Sequence, residues 1–144
     1  MRRSCPFEVP RSPPTRYILA YMGDRYDVEL EPEVRSWLET LPLPEYRTVE
    51  YHADRLSEAP ATLGEPYSRH LRGAVRELRF HLGRSAWRVS YWLAPGRRIV
   101  LLTVFRKTRG RETGEVERAI AAQRICEDEH RPATHFYDRE AVRP

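Results

Sequence analysis

Apolar residues recur along this chain with two different periods, and the change of period divides it. From Pro32 to Pro60 they return every three or four positions. Val34, Trp37, Leu38 and Leu41 make one stripe, and Pro32 suits a first helical position, where its missing N–H is not needed. Pro42 ends that helix. A second helix starts at Pro44, with Tyr46, Val49, Ala53 and Leu56 as its apolar face, and stops at Glu58, Ala59 and Pro60. The turn between them is very short, so an antiparallel helical hairpin is expected.

After a connector from Ala61 to Pro66 and a short piece from Tyr67 to Arg72, the period becomes two. Val75 to His81 alternates arginines with Leu78 and Phe80. Trp87 to Leu93 puts Trp87, Val89, Tyr91 and Leu93 on one face and Arg88, Ser90 and Trp92 on the other. Ile99 to Phe105 is apolar on both faces, as a central strand is. The links are short and contain glycine, which predicts antiparallel hairpins. An earlier strand is read over Tyr26 to Leu30, and a last helix over Thr113 to Cys126, with Thr113 as N-cap and Glu115 and Glu117 in its first turn. The expected fold class is α+β: an N-terminal helical hairpin packed on a small, mainly antiparallel twisted sheet, with a C-terminal helix. The helices should cover one face and leave the other open and basic.

The flanks read differently. Residues Met1 to Thr15 carry four prolines and four charges and cannot build a core. Residues 1–24 are therefore read as a loosely ordered extension, 25–127 as the domain and 128–144 as a polar tail. Met22 precedes a clear strand and is read as the functional start; the alternative is that Arg16 to Tyr21 adds a strand of its own. His130, His135 and Tyr137 lie in the tail without acidic or thiol partners at ligand spacing, so no metal site is expected there.

Charge changes the picture most. The formal net charge is +4, but the twelve Arg or Lys and single acid, Glu77, between Tyr67 and Arg111 amount to +11. The remaining 13 basic and 20 acidic residues amount to −7. Arginines here alternate with strand-core residues and almost no acid answers them, which points to a polyanionic partner, nucleic acid or an acidic protein. The longest apolar run, Ile99 to Phe105, is too short to span a bilayer. Prolines and charges interrupt any signal-like core at the N-terminus. Cys5 and Cys126 are read as thiols of a cytoplasmic protein.

Period two also selects candidate residues. Leu78 belongs to the core, so Glu77 and Arg79 face outward; Arg88 shares a face with Ser90 and Trp92 on the next strand. Arg106 and Lys107 lie just past the third strand, and these groups can converge on one concave patch. Lys107 is the sole lysine among 25 basic residues, which hints at a role for a compact point charge.

Leu71–Arg72–Gly73, Glu77–Leu78–Arg79, Trp87–Arg88–Val89–Ser90–Tyr91 and the strand from Ile99 to Phe105 running into Arg106–Lys107–Thr108 together resemble the RelE/ParE toxin superfamily. The likeness is greatest to its HigB-like, phage-derived branch and spans Tyr26 to Glu127. It implies a toxin of a type II toxin–antitoxin pair. Such toxins cut mRNA, typically on the ribosome, without metal or other cofactor, and are silenced by a cognate antitoxin, here expected to be a helix-turn-helix protein. By that resemblance Arg79 and Arg88 contact the scissile phosphate, and Lys107 stabilises the transition state or protonates the leaving oxygen. Arg76, Arg106 and Arg109 bind RNA phosphates. Glu77 stands where some relatives have lysine, and is either a general base or an acid that holds Arg79. His81 is a further candidate proton carrier, and the general acid and base stay unassigned. Two alternatives remain: a ParE-like toxin that binds DNA gyrase without catalysis, and a decayed toxin that only binds its antitoxin.

Overall fold

The computed structural model describes residues 17–20, 25–109, 112–129 and 132–137. The elements in chain order are β1 (Tyr17–Ala20), β2 (Asp27–Leu30), α1 (Pro32–Glu39), α2 (Leu43–Glu58), β3 (Ser68–Arg72), β4 (Val75–Leu82), β5 (Ser85–Ala94), β6 (Arg98–Arg106), α3 (Glu112–Glu129) and β7 (His135–Phe136). The fold is mixed α+β, as the two periods predict. The sheet, however, is large, with seven strands among the described residues in the order β3-β4-β5-β6-β2-β1-β7.

Its centre is the expected antiparallel meander β4-β5-β6, to which β3, from the short piece before Gly73, adds a further antiparallel strand. Gly73 and Gly83, with φ of 58° and 62°, turn the first two hairpins; an L-residue with a Cβ is strained there. The two ends of the sheet are less regular. β2 joins β6 in parallel, and β1 pairs antiparallel to β2 and parallel to β7. Strands thus come from segments expected as extension and tail. Ile18 and Leu19 are buried, and Tyr137 beyond β7 packs into the core with 7% exposure. The expectation for Met22 falls on a residue outside those described.

α1 and α2 pack on one face of the sheet, chiefly over β6 and β4 respectively. Each is anchored on the sheet, and that anchoring, rather than a hairpin packed on itself, organises them. Val34, Leu38, Val49, Ala53 and Leu56 meet Leu78, Phe80, Val89, Tyr91, Ile99 and Leu101 there. The opposite face is not open, contrary to expectation. α3 lies across β5 and β6, where Trp92, Ala94, Val100, Leu102 and Cys126 form a second core. Trp92 donates from Nε1 to the Cys126 sulfur at 3.4 Å. An alternating strand bearing a tryptophan on its polar side needs such a cover.

Two polar devices fix the arrangement. Glu29 on β2 and Arg98 on β6 form a buried ion pair, Nη1 to Oε1 3.2 Å, with side chains 1% and 4% exposed. Arg98 also donates to the Pro95 carbonyl, and Glu29 accepts from the Ala133 N–H. The second device serves β6 beyond Leu101, where its pairing with β2 ends. There the Glu33 carboxylate accepts from the Val104 N–H at 3.0 Å, and Arg118 of α3 donates to the Val104 carbonyl at 3.2 Å. Glu33 and Arg118 are themselves ion-paired, so α1, β6 and α3 are clamped at one point. Among the described residues no helix is long and apolar enough to cross a membrane.

Removing one member of the Glu29–Arg98 pair strands a buried charge. Arg98→Leu is expected to lower stability by about 3 kcal/mol, read as a fall in Tm on the order of 10 °C by circular dichroism. Adding Glu29→Gln to it should restore part of the loss, because the residual buried charge goes.

Candidate functional site

Cross-strand register gathers the basic residues at one end of the meander. On the α3 side of the sheet Arg69 of β3 lies opposite Glu77 of β4, and Arg79 of β4 lies opposite Arg88 of β5. Arg88 in turn faces Phe105 of β6. Two residues further on, Lys107 keeps the same face, its N–H bonded to the Ala86 carbonyl at 2.8 Å. The N-terminal turn of α3 arrives at this point, and Glu112 meets Lys107 Nζ at 2.6 Å.

Two arginines directly opposite each other on a sheet repel. Glu77 relieves this, with Oε2 3.7 Å from Nε of both Arg79 and Arg88. The side chains of Glu77 and Arg88 are each only 8% exposed, that of Arg79 22%. Burial raises the Glu77 carboxyl above its ordinary range, with Arg88 and then Arg79 opposing that shift. Burial, then repulsion from Arg79, lowers the Arg88 guanidinium pKa. The hydrogen bond from Lys107 holds the Glu112 carboxyl below its ordinary range. Four cations therefore meet two carboxylates, and Arg79 Nε is buried without a hydrogen-bond partner among the described residues. Such a cluster gains by receiving an anion, because a phosphate supplies the acceptors that Glu77 alone does not.

The geometry unites Arg79, Arg88 and Lys107 but not the other three candidates. Arg76 points to the face covered by α1 and α2, where Nε donates to the Tyr91 hydroxyl at 3.3 Å and Nη2 to Ser68 Oγ at 3.5 Å. Arg106 lies opposite Trp87 on that same face. Arg109 is exposed in the turn after β6. Period two explains the first case, since Arg76 has the parity of Leu78. Conversely Arg69 and Glu112 belong to the cluster and went unrecognised. A hairpin centred on Gly73 sets residue 69 opposite 77, a signal open to reading; the approach of Glu112 depends on how α3 docks.

Beside the cluster is a groove of about 470 Å³. β4 runs on past the start of β3 at Ser68, and the notch so formed is lined by His52, Pro66, Tyr67, Arg79, Phe80, His81 and Arg88. The Tyr67 carbonyl accepts the Arg79 N–H at 2.8 Å, which ties the two rims together. His81 is exposed there. Among the described residues no group of three or more His, Cys, Asp or Glu has the arrangement to hold a metal ion.

Because folding raises the Glu77 pKa, its stabilising contribution is full at low pH and is lost as pH rises through the folded-state value. Glu77→Gln is expected to remove this decline, so its thermal stability should change less than that of the native chain between about pH 4 and 8.

A doubly substituted mutant of the E. coli toxin RelE in its free state superposes with a TM-score of 0.49 at 18% identity, covering 70% of this chain and 98% of that one. No curated protein matches the sequence. The family model described as phage derived protein Gp49-like matches residues 36–125, which include every member of the cationic cluster. The chain belongs to the phage-derived Gp49-like family.

Proposed function

We propose that the protein is the toxin of a type II toxin–antitoxin pair and that it cleaves mRNA, on ribosomes in the cytoplasm, without a metal ion. The single observation carrying this reading is the convergence of Arg79, Arg88 and Lys107 on one face, with Arg79 Nε lacking an acceptor. In the reaction the ribose 2′-oxygen attacks the adjacent phosphorus and loses its proton, while the bond from phosphorus to the 5′-oxygen breaks and that oxygen gains a proton. The products are a 2′,3′-cyclic phosphate and a 5′-hydroxyl. Arg79 and Arg88 hold the non-bridging oxygens as their charge grows, since guanidinium forks make two-point contacts with phosphate. Lys107, held by Glu112 at 2.6 Å, is assigned the leaving oxygen, whose charge it stabilises or to which it gives a proton.

Glu77 acts as the holder of both arginines. Its burial and equal 3.7 Å distances to them favour that role over attack on a proton from outside. A guanidinium pair held in place before substrate arrives needs little reorganisation as charge develops, which is where such sites gain rate. The antitoxin is a natural competitor, because an acidic segment satisfies the same cations.

The test is induction of the chain without an antitoxin, followed by primer extension on cellular mRNA. Arg79→Ala and Arg88→Lys are each expected to slow cleavage by on the order of a hundredfold, with folding checked by circular dichroism. Growth arrest with intact mRNA and broken DNA would instead establish a gyrase poison. Absence of arrest by the native chain would leave a protein that only binds its partner.

A further inference from the structure

The groove holds more than a phosphate needs. Beyond the arginines its wall is aromatic: His52 of α2 stacks on Phe80 of β4 with ring centroids 5.2 Å apart and planes 13° from parallel. Tyr67 forms another part of the lining, 39% exposed, with the Arg55 guanidinium 4.3 Å from its ring centroid. That contact orients the ring without covering the residue. The volume of about 470 Å³ falls among small-ligand clefts, which run from about 300 to 1,000 Å³. Cationic groups at one rim and flat rings along the wall match the two halves of a nucleotide, its phosphate and its base.

We infer that this groove seats one nucleobase of the substrate, packed against the Tyr67 and His52–Phe80 wall, while the phosphate attached to that nucleotide lies at Arg79 and Arg88. The inference rests on the ribonuclease reading and adds to it the part of the substrate that the arginines do not touch. Stacking is available to all bases, so the seat is expected to bind any of them and to prefer the larger ring systems. Burial, with Arg55 adding to it, lowers the His52 pKa, so the imidazole stacks as a neutral ring at pH 7. His52 is a positioning residue in this scheme, working through contact with the base.

The seat is tested with the full chain and two short 2′-O-methyl oligonucleotides, which lack the attacking hydroxyl and bind without being cut. One carries all its bases; in the other a single residue is abasic and the phosphates are unchanged. Fluorescence titration of the native chain is expected to show about tenfold tighter binding of the complete ligand. Tyr67→Ala and His52→Ala should each bring that ratio toward one while leaving affinity for the abasic ligand unchanged. His52→Phe, which keeps a flat ring, should preserve the ratio. Arg79→Ala should weaken both ligands together and keep it. An equal affinity of the native chain for both ligands overturns the seat, as does a ratio that Tyr67→Ala leaves intact or His52→Phe abolishes. If the ratio is one yet mRNA is still cut in cells, the seat alone is wrong and the ribonuclease reading stands. If neither ligand binds, the nucleotide reading of the groove falls, and an acidic protein segment becomes its occupant.

Discussion

Glu29 and Arg98 sit across the junction at which the first half of the chain joins the meander. β2 and β6 run parallel, so no hairpin sets their register. Taking two charges from water costs several kcal/mol for each before their attraction offsets it. What the pair contributes is discrimination. A slip of β2 by one residue would drive Glu29 into the apolar face shared by Val28 and Leu30 and leave Arg98 buried alone. Because Glu29 also accepts from Ala133, the same carboxylate places the segment that leads into β7. With β2 in register, α1 begins where Glu33 can reach Val104, and through Arg118 that contact settles where α3 lies.

The cationic cluster inherits its geometry from this chain of constraints. Arg69, Glu77, Arg79 and Arg88 are aligned by local hairpins alone. Lys107 and Glu112 need α3 docked at the end of β6. The groove then needs α2, which contributes His52, over a strand that has outrun its neighbour. Three layers of the molecule therefore meet at one point, and the packing that aligns Glu77 and Arg88 also keeps those two from bulk water.

Much of this was legible in the sequence, and the parts that were not share a physical cause. Stripes such as Val34, Trp37, Leu38 and Leu41 announce a helix because many positions repeat the signal. The glycines at 73 and 83 announce turns because few other residues tolerate that backbone. β1 and β7 have four and two residues, too few to display any period; β1 forms on the edge that β2 offers, and β7 on the edge of β1. The arginine-bearing face was expected open because its charges outnumber its apolar residues; α3 covers part of it, where Trp92 packs beside Cys126. In the site, parity alone separates Arg79 and Arg88 from Arg76. The aromatic wall was hidden because His52 and Phe80 lie in different elements, and only tertiary packing stacks them.

The plug at Val104 has a bearing on how this molecule meets others. Sheets with bare rims recruit foreign strands, and cells contain many unfolded segments ready to supply them. Here one outer strand bears Arg69 and Arg72, the opposite one is two residues long, and the inner gap along β6 is occupied by a carboxylate and a guanidinium. An intruding strand would have to displace a charged pair before forming its first backbone bond. The gap along β6 is thereby closed to such pairing by the same contacts that hold α1 and α3 on the sheet.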